Sequence, residues 1–138
     1  MPLRSSALRG LLAALPALLL GACGPKFVDY PTLADAQSAG AVAAGLLPDR
    51  LPASTALIRV ERDDDRAAGY FHFSSGDYAP MVARFAPLTT LPADPPLQTW
   101  VKRKDLAGYD AYTLQQGEGA WLLLCAQNKG RCYFRRLG

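Results

Sequence analysis

The chain has 138 residues, half of them hydrophobic, with 15 basic and 12 acidic residues, one histidine and three cysteines. That length and apolar content support one domain with a packed core. Two of the 15 basic residues, Arg4 and Arg9, precede the first apolar run, leaving 13 against 12 beyond it, and so near-neutral a remainder argues against nucleic-acid binding.

The first element is a leader. Arg4 and Arg9 form a short basic region, Gly10 to Leu20 is almost wholly Leu and Ala, and Gly21-Ala22 supply small residues for a peptidase. The apolar run is too short to span a bilayer, which takes about 20 apolar residues. Leu20-Gly21-Ala22-Cys23 resembles the lipobox of bacterial lipoproteins. The resemblance covers residues 1–23 and implies cleavage before Cys23, a diacylglyceryl thioether on its sulfur and an acylated new amino terminus. Two or more acyl chains hold a protein firmly where one holds it only marginally. Gly24 stands where many such proteins carry an inner-membrane retention Asp, which implies an outer-membrane address facing the periplasm. The expected organisation is a signal peptide over 1–22, the lipidated cysteine and tether over 23–31, and a single small domain over 32–138.

Gly24 to Pro31 reads as the tether. Phe27 and Tyr30 within it are expected to pack on the domain rather than to touch headgroups. Thr32 starts a helix with Asp35 placed for a capping-box contact. The helix is expected to run through an Ala-rich stretch to Leu47, weakened by Gly40 and Gly45 and ended by Pro48. Two Leu-Pro steps, Leu47-Pro48 and Leu51-Pro52, then force extended backbone into a strand whose Ile58 and Val60 share a face. Asp63-Asp64-Asp65 reads as a solvated turn, because it lacks the spaced oxygen ligands and closing Glu of a calcium loop. A second strand near Ala67 to Ser74 puts Phe71 and Phe73 on one face and Tyr70 and His72 on the other, completing a hairpin.

The order Leu47-Pro48, Leu51-Pro52, Ser54, Ile58, an acidic turn and Phe71-x-Phe73 resembles a small domain of uncharacterised bacterial lipoproteins. In that domain a Leu-Pro…Pro-x-Ser-Ala-x-x-Ile run leads into a hairpin ending in Phe-x-Phe. The resemblance covers about residues 46–74, and Thr55 stands where the pattern has Ala. It implies location and fold, and it carries no catalytic residues.

Ser75-Gly76-Asp77 is expected to cap a short helix on which Tyr78, Met81, Val82 and Phe85 form one apolar stripe. Pro87 to Pro96 reads as a long proline-rich loop, a type often used for binding. Trp100-Val101 and Tyr109 to Leu114 read as strands, with Gly117-Glu118-Gly119 turning into the next one. Lys102-Arg103-Lys104 and Arg135-Arg136 read as solvated faces.

Once Cys23 is lipidated, Cys125 and Cys132 remain as an even pair in an oxidising compartment, which reads as a disulfide. Trp121 to Cys125 and Arg131 to Phe134 read as strands joined at Asn128-Lys129-Gly130. A two-residue loop at Asn128-Lys129 sets Cys125 opposite Cys132, whereas a type I turn with a bulge at Gly130 would offset the pair. The disulfide therefore favours the first. Leu123 then faces Phe134 and Trp121 faces Arg136. Leu122 and Leu124 point the other way, so this strand is apolar on both faces and is expected to be central in the sheet or covered on both sides.

Chemistry is thin. His72, Ser74 and Asp77 can be written as a triad, but two of them lie on one strand and the third is wanted as a cap. No Gly-x-Ser-x-Gly, His-Glu-x-x-His or phosphate loop occurs, and no metal or cofactor is expected. The sequence thus predicts an α+β domain, an antiparallel sheet of about five strands with one or two packed helices and a disulfide-stapled C-terminal hairpin. It predicts a lipid-anchored envelope protein without enzymatic activity, held to the membrane through Cys23 and acting on an envelope partner as an accessory or structural component. The alternative is an inhibitor or immunity protein against an envelope-active enzyme or toxin.

Overall fold

A computed structural model of the chain describes residues 26–63, 66–90 and 101–137. The leader, Cys23, Asp64-Asp65, the proline-rich segment from 91 and Trp100 lie outside the described residues.

Among the described residues seven strands form one antiparallel sheet: β1 Lys26–Thr32, β2 Ala56–Asp63, β3 Arg66–His72, β4 Ala86–Leu88, β5 Asp110–Gln116, β6 Gly119–Ala126 and β7 Arg131–Leu137. Their order across the sheet is β1-β2-β3-β7-β6-β5-β4. Hairpin β2–β3 and hairpin β6–β7 are joined through β3 and β7, where Phe71 pairs with Cys132 and Gly69 with Phe134. Phe71 and Phe134 are fully buried on one face and stack with centroids 6.1 Å apart. Each such ring contributes about 2 to 3 kcal/mol of burial, concentrated at the seam between the two hairpins.

The sheet is wider than the five strands expected, and the two additions are its edges. Lys26–Thr32, read as tether, is β1 and pairs with β2 from Lys26↔Arg62 to Thr32↔Ala56. Tyr30 packs against the core as expected, but Phe27 is half exposed, with the Arg59 guanidinium 5.7 Å from its ring centre. Ala86–Leu88, read as the start of the proline-rich loop, is β4, and Pro87 is tolerated there because an edge strand does not need every donor. Val101, read as strand, lies in a bend ahead of a 3-10 turn over Arg103–Leu106.

The helices are shorter than the patterning suggests. Helix α1 spans Leu33–Ser38, with the capping box between Thr32 and Asp35 present in both directions. It stops at Gly40 rather than continuing to Leu47. Gly40 has φ 77°, its N–H donates to Gln37 O and that of Ala41 to Ala36 O, the two bonds of a Schellman motif. The next turn closes the same way at Gly45, so these glycines end turns where the sequence reading had them only weaken a helix. Helix α2 spans Tyr78–Val82 after a 3-10 turn over Ser75–Asp77. The expected cap is absent: neither Ser74 nor Asp77 makes a side-chain cap bond. The stripe holds, since Met81 and Phe85 are buried in the main core with Tyr78 and Val82 packed against it.

Strand β6 is central and buried from Trp121 through Ala126. Its pairing with β7 sets Leu123 opposite Phe134, Trp121 opposite Arg136 and Cys125 opposite Cys132, and the two cysteines are disulfide-bonded with Cα atoms 4.1 Å apart. The connection, however, has four residues, not two. Ala126 pairs with Arg131, a 3-10 turn covers Gln127–Lys129, and Gly130 closes the loop at φ 56°. Loops of two and four residues about one centre give the same register, so the cysteines meet either way.

The larger core lies on the face carrying Ile58, Phe71, Leu123 and Phe134, roofed by α1, the Leu-Pro run and α2. A smaller cluster of Leu106, Tyr109, Leu124, Ala126 and Tyr133 covers part of the other face.

Candidate functional site

The double Leu-Pro run builds the most individual local structure. Leu47 and Pro48 are buried, Leu51 nearly so, and the exposed Asp49-Arg50 step arches out between them. Arg50 has φ 60°, a left-handed conformation that residues with a Cβ rarely adopt. Two bonds hold it there. The Arg50 N–H donates to Asp49 Oδ1 at 2.7 Å, and Arg84 donates to the Arg50 carbonyl at 3.0 Å. A third tie runs 67 residues away: the Asp49 N–H donates to Gln116 Oε1 at 2.8 Å.

Ser54 locks the end of the run to α2. Its hydroxyl donates to the Asp77 carboxylate and accepts the Ser74 N–H at 3.1 Å. Asp77 is therefore the partner of Ser54. The three residues that could be written as a triad are not assembled as one. His72 lies on the other face of β3, edge-on to Tyr70 with centroids 5.8 Å apart and in register with Arg131. Burial, then the Arg131 charge, hold the His72 imidazole below its usual pKa. Arg131 donates to the Tyr109 hydroxyl at 2.9 Å and stands 5.0 Å from the Tyr133 ring centre, which makes this a structural cation–aromatic stack.

A cleft of about 260 Å³ opens between the Asp49-Arg50 arch, the end of α2 and the β5–β6 turn. Phe85 and Leu114 supply apolar surface, and Arg50, Arg84 and Gln116 line it with polar groups. Gln116 Oε1 accepts both the Asp49 N–H and the Trp121 indole N–H, the latter at 3.2 Å. Both partners are donors only, so the amide orientation is unambiguous and Nε2 is the carboxamide's donor edge. Asp49 is the one acid among the described residues that line the cleft. Its carboxylate comes no nearer than 3.9 Å to Arg50 Nε, with both side chains well exposed, so it screens that guanidinium weakly.

Sequence reading singled out the Leu-Pro run but not this cleft. Gln116 and Arg84 carry no motif, and only the tertiary fold brings them to Arg50. Among the described residues no group of three or more His, Cys, Asp or Glu side chains stands close enough to hold a metal, and no helix among them is long and apolar enough to cross a membrane. Cys23 lies outside the described residues.

Residues 27–74 match the family described as the YbbD head domain, from β1 through the end of hairpin β2–β3. The match contains the Leu-Pro run, Ser54 and Phe71-x-Phe73, and takes in Asp49 and Arg50 from the cleft. Arg84, Phe85, Leu114 and Gln116 lie outside it. No curated protein matches the chain, and no solved structure does.

Proposed function

We propose that the protein is a lipid-anchored component of the cell envelope, attached through Cys23 to the outer membrane on its periplasmic side, and that it works by binding, in an accessory or structural role. The lipobox-like Leu20-Gly21-Ala22-Cys23 supports the anchor. β1 begins at Lys26, so three peptide steps separate it from Cys23, a reach of about 11 Å at most. The domain would sit against the bilayer rather than on a stalk. The observation that carries the binding reading is the cleft, whose apolar floor and donor-rich rim suit a ligand held in place.

Mass spectrometry of the membrane-extracted protein tests the anchor. The expected chain starts at Cys23 and carries acyl mass, and Cys23→Ser leaves it unmodified and released. Affinity capture from detergent-solubilised envelope tests the rest, with the lipidated protein recovering a defined envelope component that Cys23→Ser recovers poorly. An unacylated wild-type chain, or capture of nothing, would overturn the corresponding half of the reading.

A further inference from the structure

We infer that the cleft between the Asp49-Arg50 arch and the β5–β6 turn binds a carboxylate carried on a small apolar body. This deepens the binding reading above and rests on it.

Three segments far apart in sequence line one opening with donor-bearing side chains: Arg50, Arg84 and Gln116, whose donor edge is Nε2. The Gln116 edge is imposed, because its oxygen is already taken by two obligatory donors. Arg84 is anchored through one nitrogen to the Arg50 carbonyl, which holds its planar fork at the rim with further N–H groups to offer. Arg50 is the most telling of the three. Its backbone conformation is one that glycine adopts without steric cost, yet a long cationic side chain stands there, supported by Asp49 and Arg84. Fold alone would favour glycine at this position, so the side chain points to a role at the cleft.

The donor set selects an anion. Among the described lining residues two guanidiniums stand against one carboxylate, itself taken up by the Arg50 N–H, so the balance is cationic, and planar forks suit the two oxygens of a carboxylate. Phe85, only 8% exposed, and half-buried Leu114 add an apolar floor that a bare inorganic anion would leave unused. A volume of about 260 Å³ sits just under the range of drug-sized pockets, room for one small apolar group and the carboxylate it bears.

Titration of the full-length chain in detergent micelles tests this, using N-acetyl-leucine, its neutral analogue N-acetyl-leucinamide and inorganic phosphate as probes. The Trp121 indole N–H bonded to Gln116 is a built-in NMR reporter, distinguished from that of Trp100 by a Trp100→Phe variant. N-acetyl-leucine should shift the Trp121 signal saturably. The amide and phosphate should each bind at least about tenfold more weakly, the loss expected for charge-assisted bonds or for the apolar contact. Arg50→Gly should keep the fold and lose the acid. Gln116→Glu, which keeps an oxygen for Asp49 and Trp121 but replaces the donor edge with an acceptor, should do the same. Equal binding of acid and amide, phosphate binding as tightly as the acid, or unchanged acid binding by folded Arg50→Gly would each overturn the proposal. The titration needs neither envelope extract nor lipid on Cys23, so its failure is separate from that of the anchor or the capture experiment.

Discussion

The Ser54 hydroxyl ties its segment to one 20 residues and more further along the chain, donating a hydrogen bond to the Asp77 carboxylate and accepting one from the N–H of Ser74. That bridge fastens the Leu-Pro run to the start of α2 and so fixes the spacing of two walls of the cleft. Ser54→Ala removes both bonds and leaves a half-buried carboxylate without its donor. The expected loss is about 1 to 3 kcal/mol, read as a fall in the urea midpoint at constant m-value. Asp77→Ala should cost a comparable amount, and the double variant little more than either alone, because the two share one interaction.

Thr55, the neighbour of Ser54, gives the opposite prediction. Its backbone is well used, with N–H to Pro52 O at 2.9 Å and C=O accepting from Leu33 at 3.0 Å. Its side chain is 1% exposed, and Oγ1 has no hydrogen-bond partner among the described residues. This is where the resembling domain carries Ala. Thr55→Val keeps the shape and removes the stranded hydroxyl, so stability should rise by about 1 kcal/mol. Thermal unfolding should show it as an increase of a few degrees. A lower midpoint would mean that the hydroxyl is satisfied after all.

Much of this architecture is readable from residues. Ile58, Phe71-x-Phe73, the Tyr78-Met81-Val82-Phe85 stripe and the run Trp121 to Cys125 announce their elements because each buries a regular apolar face. The edges do not. β1, with Lys26, Asp29 and Pro31 among its seven residues, and β4, with Pro87, are mostly exposed and carry no alternation to read. Charges and prolines suit an edge because they discourage pairing with another chain, and these same residues make it resemble a tether or a loop. The helix after Thr32 fails for another reason. Ala-rich sequence favours helix at every position, and only the left-handed backbone at Gly40 ends it. At the cleft, Asp49-Arg50 could be singled out by the prolines beside it, whereas Gln116 is one polar residue among many until the fold sets its carboxamide beneath the Asp49 N–H.

The C-terminal hairpin should be strongly coupled to its disulfide. Cys125 and Cys132 are both fully buried at the sheet centre, seven residues apart. Closing so short a loop in the unfolded chain is worth about 2 to 2.5 kcal/mol in the chain-entropy model. Because neither sulfur is exposed, a reductant should leave the native protein oxidised, as read by thiol labelling, and act only when the hairpin opens. Under unfolding conditions it should lower the urea midpoint by the corresponding amount. Rapid labelling of both thiols in native buffer would contradict the buried placement.

Gly130 closes the same hairpin, and its role is testable apart from the sulfurs. Its φ is 56°, its carbonyl accepts the Phe73 N–H at 2.9 Å, and a Cβ there would come within 2.8 Å of the Phe73 carbonyl oxygen. Gly130→Ala meets both a disfavoured conformation and backbone that cannot move freely. A destabilisation of about 1 to 3 kcal/mol is expected, with the disulfide still formed. A Gly130→Ala protein as stable as the parent would show that the loop can be rebuilt with two residues, the form the cysteine spacing equally permits.

His72 gives a pH signature with a definite sign. Burial and the Arg131 charge favour its neutral form in the folded state, so the folded pKa lies below the unfolded value near 6.5. The unfolded chain then binds the proton more readily. Stability is complete above the unfolded pKa and declines as pH falls through about 6.5 toward the folded value, below which this contribution is fully lost. His72→Gln should flatten the dependence in that window while leaving the steeper loss at lower pH, where carboxylates titrate. The imidazole is only partly buried and Arg131 is itself engaged by Tyr109, so the slope should be shallow. Urea midpoints taken between pH 5 and 8 on both proteins measure it. A wild-type midpoint that rises as the solution is acidified from pH 7 to 5.5 would mean that the imidazolium is welcomed in the fold despite the guanidinium on the neighbouring strand.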